Sequence, residues 1–409
     1  MKVLVLNCGS SSLKFQLIET TPERIASDND EVLAHGVIER IGSSEAVVTY
    51  EQAGASKVRE TKPVLKHKQA IQAAFDAMTA ENGVVKHLEE IEAVGHRIVH
   101  GGENFSESVI IDHEVLKHIE AAAELAPLHV PNNLKGYHAA VALIPHAQNV
   151  AVFDTAFHQT MPARAFMYGV PYLYYKRDKL RRYGFHGTSH RYVSSRFAKL
   201  QGKTREDFKL ITCHLGNGCS VCAIEHGRSI DTSMGFTPIE GLLMGTRPGD
   251  VDAGAVMYLV EHAEMGVHEI DVLLNKHSGI YGISGVSNDM RDVLDAESKG
   301  NERAKLAVDV FCYRVRKYLG AYLAAMNGAD AILFAAGIGE NSPAIRERIC
   351  AGMDSLGVAL DPEKNTAARG KDADISANDA RVKTWVIPTN EELLIARDTV
   401  RAILHLPQA

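Results

Sequence analysis

Cysteine is scarce in this chain, with six among 409 residues. Cys8, Cys213, Cys219, Cys222, Cys312 and Cys350 are too few to form a disulfide framework, so reduced, structural cysteines are expected. Cys219 and Cys222 have the spacing of a redox or zinc pair. They lie in an apparent strand, which sends residues three apart to opposite faces, and no second pair follows. No apolar run approaches the roughly 20 residues that cross a bilayer, and the N-terminal VLVL is too short for a signal-peptide core. A cytoplasmic protein with no membrane partner is expected. Basic charge is in deficit: 44 Lys and Arg face 51 Asp and Glu, for a net charge of −7. That leaves no footing for non-specific nucleic-acid binding. The P-loop pattern G-x-x-x-x-G-K-[ST] is absent, as is the third glycine of a dinucleotide fingerprint. His186 and His190 stand four apart, but the glutamate of HExxH is missing, so zinc is not expected.

What is present reads as a soluble globular protein, 45% apolar and 23% charged, too long for one core and suited to two or three domains. Residues 2–6 and 12–19 read as strands around the small-residue turn of NCGSSSLKF. EVLAHGVIERI and AVVTYE extend a meander. KHKQAIQAAFDAMTAEN, DHEVLKHIEAAAELAP and PNNLKGYHAAVALIP read as helices, and IEAVGHRIVHGG and NVAVFDTAFH as strands. The order then restarts at FKLITCHLGNGCSVCAIEHGRSIDTS with strand, glycine turn, strand, turn, strand. Helices follow near 251–265 and 302–326. In the second, Ala304, Ala307, Val308, Phe311, Val315, Tyr318, Leu319 and Tyr322 keep helical spacing and form one stripe. LNCGSSSLKFQLI and HLGNGCSVCAI thus occupy matching places in two halves, with Ser12 set over Ser220, as in an internal duplication. Two such halves would form a cleft, a common place for a ligand.

Several stretches leave two readings open. NCGSSSLKF is either a plain hairpin or a turn whose N–H groups and hydroxyls face an anion, with Lys14 adding charge. HLGNGCS is either a tight Asn-Gly hairpin or a close backbone approach to phosphate. In AAGIGENSPAIRERI a buried strand enters a Gly-rich turn, with Ser342 as N-cap and Pro343 first in the helix. That arrangement suits a nucleotide or is a bare strand–helix turn. Arg97 sits on an otherwise apolar strand, so it must be paired or open to a cleft. Asp154 ends a buried strand and Arg247 lies in a turn; a cap and a solvated arginine are their plain readings. Thr389 and Glu392 have capping-box spacing, which leaves Glu391 in the first helical turn, able to reach Mg²⁺ or simply favourable near the helix dipole.

Together, LNCGSSSLKF, GHRIVHGG, VAVFDTAFHQTMP, RYGFHGTSH, CHLGNGCS, DTSMGFTPIEGLLMGTRPGD, GIGEN and PTNEE occur in this order from residue 3 to about residue 400, and this set closely resembles the acetokinase family. The resemblance implies an α/β fold of two duplicated actin-like ATPase (ribonuclease H-like) domains around a central nucleotide cleft. It implies an N-terminal acyl-substrate-side domain of residues 1–154 plus 393–409, and a nucleotide-binding and dimerisation domain of residues 155–392. The implied reaction is reversible, direct in-line phosphoryl transfer between ATP and acetate, giving ADP and acetyl phosphate, with Mg²⁺ (or Mn²⁺), in a cytoplasmic homodimer. Residue by residue, it implies catalytic roles for Arg97, Asp154, His186 and Arg247. The acyl substrate would meet Arg97, Val99, Leu128, His129, Phe185 and Pro238. The nucleotide would meet Lys14, His214, Leu215, Gly216, Asn217, Gly218, Asp289, Met290, Arg291, Gly337, Ile338, Gly339, Glu340 and Asn341. Asn7 and Glu391 would attend the metal. Cys219 and Ala336 stand where glycine is common in the family, and Val130 where asparagine is frequent, which singles out Val130 for an effect on acyl preference. The alternatives are a propionate or short-chain acyl kinase, a pyrophosphate-using relative, and a non-metabolic actin- or Hsp70-like ATPase.

Overall fold

The computed structural model describes every residue except Asn82, Leu128 and Ala409. The chain divides into two compact units: Met1–Gln159 with Asn390–Ala409, and Thr160–Thr389. No helix among the described residues is long and apolar enough to cross a membrane.

The first unit is built on β1 (Lys2–Cys8), β2 (Ser12–Glu19), β3 (Glu31–Glu39), β4 (Ser43–Gln52), β5 (Val58–Val64), β6 (Ala93–Ile98), β7 (Val109–Ile110) and β8 (Gln148–Phe153). They form one sheet in the order β5-β4-β3-β2-β1-β6-β8-β7. β1 to β5 are an antiparallel meander, and β6 and β8 extend the sheet parallel to β1. The central strands are buried on both faces, which is why they read as unbroken apolar runs. Alternate residues go to opposite sides. Leu4, Leu6, Phe15 and Leu17 pack in a cluster with Ile71 and Phe75 of the helix His67–Met78 and Ala139 and Ala140 of Val130–Leu143. Val3, Val5, Val150 and Val152 pack with Ile395, Ala396 and Val400 of the closing helix Glu391–Ile403. Gly95 lets that helix approach closely, since a Cβ there would lie 2.4 Å from Thr399 Oγ1.

The second unit carries β9 (Lys209–Leu215), β10 (Cys219–Glu225), β11 (Arg228–Thr232), β12 (Ala331–Ala335), β13 (Ala373–Asp374) and β14 (Lys383–Val386), in the order β11-β10-β9-β12-β14-β13. β9 to β11 are antiparallel, and β12 and β14 continue in parallel. The run β3-β2-β1-β6-β8 therefore has the same order and pairing sense as β11-β10-β9-β12-β14, so the restart in the sequence is a repeat in topology. The register corrects one detail. Asn7 faces Lys14 across the first hairpin and His214 faces Ser220 across the second. Ser220 thus corresponds to Lys14 and not to Ser12, because the second turn is one residue shorter.

In the helix Glu302–Ala325 the stripe is buried except for Tyr318, whose hydroxyl donates to Asp250 instead. Cys219 and Cys222 lie on one strand, and all six cysteines are buried free thiols.

Candidate active site

In the first unit, chemistry gathers at the C-terminal edge of the parallel strands. Arg97 is next to last in β6 and Asp154 follows β8, so the in-register pairing of Ile98 with Phe153 sets them side by side. Arg97 Nε and Nη2 reach Asp154 Oδ1 and Oδ2 at 2.9 and 2.6 Å, a two-pronged fork. Glu391, first residue of the closing helix, places Oε2 4.0 Å from Arg97 Nη2. Asp154 is 1% exposed, while the Arg97 side chain keeps 20% of its surface. Burial works against the Arg97 charge, but Asp154, Glu391 and Glu392 outweigh it and hold its pKa above the usual arginine value. Burial pushes Asp154 upward against the opposing pull of Arg97. The fork leaves Nη1 with no hydrogen bond among the described residues.

Asn7 lies near the end of β1, and its side-chain amide makes no hydrogen bond among the described residues. The exposed Lys14 across the hairpin edges a cavity of about 200 Å³ together with Glu392. The expected capping box is absent: the helix is capped by Asn390, whose Oδ1 accepts from Leu393 N at 3.0 Å. Thr389 instead bonds Ser189 through its hydroxyl at 2.8 Å.

The two glycine-containing turns share one electrostatic design. In the first, the carbonyls of Cys8, Gly9, Ser11 and Ser12 accept from Asn133 Nδ2, His67 Nε2, Ile41 N and Gly9 N. In the second, the carbonyls of Gly216, Asn217 and Gly218 accept from the Cys219 thiol, Gly245 N and Gly216 N. Burial pushes the Cys219 thiol up to about 12, which keeps it a donor. Each turn so occupies most of its acceptors and leaves successive N–H groups, of Ser10 and Ser11 or of Asn217 and Gly218, unbonded among the described residues. Successive free N–H groups of this kind suit an anion. His67 and Asn133 did not stand out in the sequence, because each sits among other polar residues of its helix. Asn133 also accepts from Val99 N at 3.1 Å, joining the end of β1 to the chain after β6.

In the second unit, His186 caps the helix Gly187–Leu200 in the left-handed conformation, φ 58°. Its ring stacks on that of His214, centroids 4.1 Å apart. Its Nδ1 lies 2.8 Å from Ser220 Oγ. Among the described residues the Arg247 guanidinium donates only to the Pro238 carbonyl, at 3.4 Å, and has no carboxylate within ion-pairing distance. Burial lowers its pKa from the usual arginine value. A half-buried arginine with one weak partner is a cation available to an anionic ligand.

A cavity of about 1030 Å³ in this unit is lined by Gly216, Asn217, Asp289, Met290, Arg291, Gly337, Ile338 and Asn341, with Leu294, Thr366 and Arg369 from segments the sequence did not single out. Asp289 caps the helix Met290–Ser298 and pairs with Arg291 at 2.6 Å. Leu215, Gly339 and Glu340 stand apart from this wall. Leu215 is wholly buried in the core, Gly339 packs on Phe334, and Glu340 accepts from Thr389 N at 3.0 Å. GIGEN is not an open turn: Ala336–Asn341 is helical from its first residue, Ala336, whose φ is 61°. Ser342 precedes the helix Pro343–Cys350 but makes no side-chain cap bond.

Of the acyl-side residues, Val99 is half-buried, His129 precedes the helix Val130–Leu143, and Phe185 is buried beside His186. Leu128 lies outside the described residues. Val130 is wholly buried among Ile98, Phe105, Ile119 and Phe153, so it acts on a ligand only through packing. Among the described residues no three His, Cys, Asp or Glu side chains gather into a metal-holding group. Asn7 and Glu391 offer an amide and a carboxylate oxygen, a donor set suited to Mg²⁺, which keeps most of its waters and takes the rest of its shell from phosphates.

A repeated α/β unit that carries an arginine–carboxylate fork in one copy and an N–H-donating turn beside a nucleotide-sized cavity in the other defines a phosphoryl-transfer enzyme of two α/β units. Comparison with known proteins is specific. The model of the acetokinase family matches residues 2–397, and the chain belongs to that family. The acetate kinase of Acetivibrio thermocellus is 54% identical over 99% of this chain and 100% of its own length. The crystal structure of Porphyromonas gingivalis acetate kinase superposes with a TM-score of 0.92 at 45% identity, covering 98% of this chain and 99% of that one. A propionate kinase from Francisella tularensis gives 0.90 at 41% identity, covering 99% and 100%. The activity is phosphoryl transfer between ATP and acetate.

Proposed function

We propose that the enzyme moves the γ-phosphoryl group of ATP directly and in line onto a carboxylate oxygen of acetate, reversibly. The carboxylate oxygen forms the new bond to phosphorus as the bond to the β-phosphate oxygen breaks, and ADP leaves with that electron pair. Acetate has a carboxyl pKa of about 4–5 and is ionised at neutral pH, so no general base is needed. Two anions must be brought together while charge spreads over the transferring group, so positioning and positive charge are the requirements. The observation that carries the reading is the Arg97–Asp154 fork, which fixes the guanidinium and leaves Nη1 to donate to a carboxylate. Arg247 donates to the transferring phosphoryl group, and so does His186. The Gly216–Gly218 turn and the cavity beside it hold the nucleotide. Lys14, His214 and the Ser10–Ser12 turn support the phosphates. Val99, His129, Phe185 and Pro238 bound the acyl group.

Asn7 and Glu391 would hold Mg²⁺. When bound, that ion neutralises phosphate charge. The exposed apolar side chains of the helix Ala253–His262 and its flanks, among them Val251, Met257, Tyr258 and Val267, form the face on which two copies associate as a homodimer. With ATP as donor, the enzyme works in the cytoplasm.

Likeness to a propionate kinase favours a second acyl substrate. One methylene changes discrimination by only about 1–3 kcal/mol, so propionate reacts more slowly but measurably. Trapping the acyl phosphate with hydroxylamine tests these readings, using acetate, propionate, butyrate and no acid, each with ATP or pyrophosphate. Acetate with ATP is expected to give the highest kcat/KM. A higher value for propionate would reassign the substrate. Turnover from pyrophosphate would reassign the donor, and ATP hydrolysis without acid would favour a stand-alone ATPase.

A further inference from the structure

His190 was set aside as a metal ligand, yet it is buried, 1% exposed, four residues beyond His186. Its Nδ1 lies 2.7 Å from Thr212 Oγ1 and its Nε2 lies 2.8 Å from Ser220 Oγ. Ser220 Oγ lies 2.8 Å from His186 Nδ1. Each hydroxyl can donate or accept, so the distances fit a chain that runs one way throughout, and the direction that leaves a ring N–H facing the glycine turn starts with Thr212 Oγ1 donating to His190 Nδ1. His190 therefore carries its proton on Nε2 and donates to Ser220 Oγ. Ser220 then has its own proton for His186 Nδ1, its one remaining neighbour there. A histidine that accepts at one nitrogen carries its proton on the other.

We infer that Thr212, His190 and Ser220 form a directed hydrogen-bond relay that fixes His186 as the neutral tautomer with its proton on Nε2. That edge of the ring abuts the second glycine-containing turn: a Cβ at Gly218 would lie 3.4 Å from His186 Nε2. The relay therefore adds a ring N–H donor beside the N–H groups of Asn217 and Gly218. Ser220 and His190 are positioning residues, acting on the reaction only through His186. The repeat gives the device its place, since Ser220 occupies the position that Lys14 holds in the first unit. The inference rests on the role of His186 in phosphoryl transfer proposed above.

The test is long-range ¹⁵N–¹H correlation on the full chain with ring-labelled histidine, with the His186 signals assigned by their loss in His186→Asn. The expected spectrum shows an unprotonated Nδ1 and a protonated Nε2 for His186. A protonated Nδ1 in the unaltered enzyme overturns the relay, and this reading needs no folded variant. Ser220→Ala should mix the two tautomers and lower kcat about tenfold, the value of one hydrogen bond, with KM for ATP and acetate little changed. Ser220→Thr keeps the hydroxyl and should retain both tautomer and kcat. His190→Gln, whose amide N–H replaces the ring donor, should recover activity lost in His190→Leu. An unchanged tautomer in Ser220→Ala overturns the relay. Full kcat in His186→Asn would overturn the transfer role of His186 while leaving the tautomer result intact.

Discussion

If Asp154 works only by holding Arg97, then Asp154→Asn should be costly in one background and nearly silent in another. In the native fork, Nε and Nη2 each donate to a separate carboxylate oxygen. Asparagine keeps one acceptor and turns an N–H toward the other donor, so one prong becomes a clash and the negative charge is lost. Breaking a buried pair costs about 3–5 kcal/mol. Arg97 retains 20% exposure and a second carboxylate at 4.0 Å, so the lower end, about 3 kcal/mol, is the appropriate figure. If that loss falls on the transition state, kcat/KM for acetate drops about 100-fold, at 1.36 kcal/mol per decade. KM for ATP should not move. The decisive assay is a double-mutant cycle: kcat/KM for acetate in the unaltered enzyme, Asp154→Asn, Arg97→Ala and the double variant. With Arg97 gone, Asp154→Asn has nothing left to misplace and should cost about twofold or less. An equal 100-fold drop in both backgrounds would refute the positioning argument and give Asp154 a task of its own, such as taking a proton.

Three further predictions concern other parts of the molecule. Ala336 holds φ 61° without being glycine, so Ala336→Gly should stabilise the fold by about 0.5–1 kcal/mol once relieved strain is set against glycine entropy. A urea midpoint that falls would contradict it. His96 is buried with Nε2 2.8 Å from Asn149 Oδ1, and burial depresses its pKa from 6.5 to about 4. Its contribution is present above pH 6.5 and is lost as pH falls from there toward 4, amounting to about 3 kcal/mol. Urea midpoints across that range should therefore decline, and His96→Gln should flatten the decline; parallel curves would exclude His96 as the cause. Phe185→Ala should raise butyrate activity relative to acetate and lower stability by about 3 kcal/mol. An unchanged acyl ratio would remove Phe185 from the acyl pocket.

The parts of the fold that could be read in advance are those whose pattern is dictated by burial. β1, β8 and β9 announce themselves as apolar runs because both faces are covered, and the turns after β1 and β9 mark the repeat. β5 was invisible for the opposite reason: it is an edge strand, VRETKPV, nearly all exposed, and its polar sequence looks like a loop. The local cap at Thr389 was misread because Asn390 competes for the same helix end and Thr389 has a more distant partner. Of the site, Arg97 was legible as a charge on a buried strand that needed a partner, and Asp154 is that partner. Asn133 and His67 were not legible, because the carbonyls they hold lie 125 and 58 residues away in sequence. Leu215, Gly339 and Glu340 belong to motifs the sequence marked for the nucleotide, but strand alternation turns Leu215 into the core, and the helical course of Ala336–Asn341 sets Gly339 against Phe334 and Glu340 toward Thr389.

The central claim is a single displacement, with arginines and N–H donors stabilising a phosphoryl group that never bonds to the protein. It is tested most directly by running the reaction with ATP made chiral at the γ-phosphorus by oxygen isotopes and reading the configuration of the acetyl phosphate. Direct in-line transfer predicts inversion. Retention would require two displacements, and with them a phosphorylated side chain, and would contradict the account.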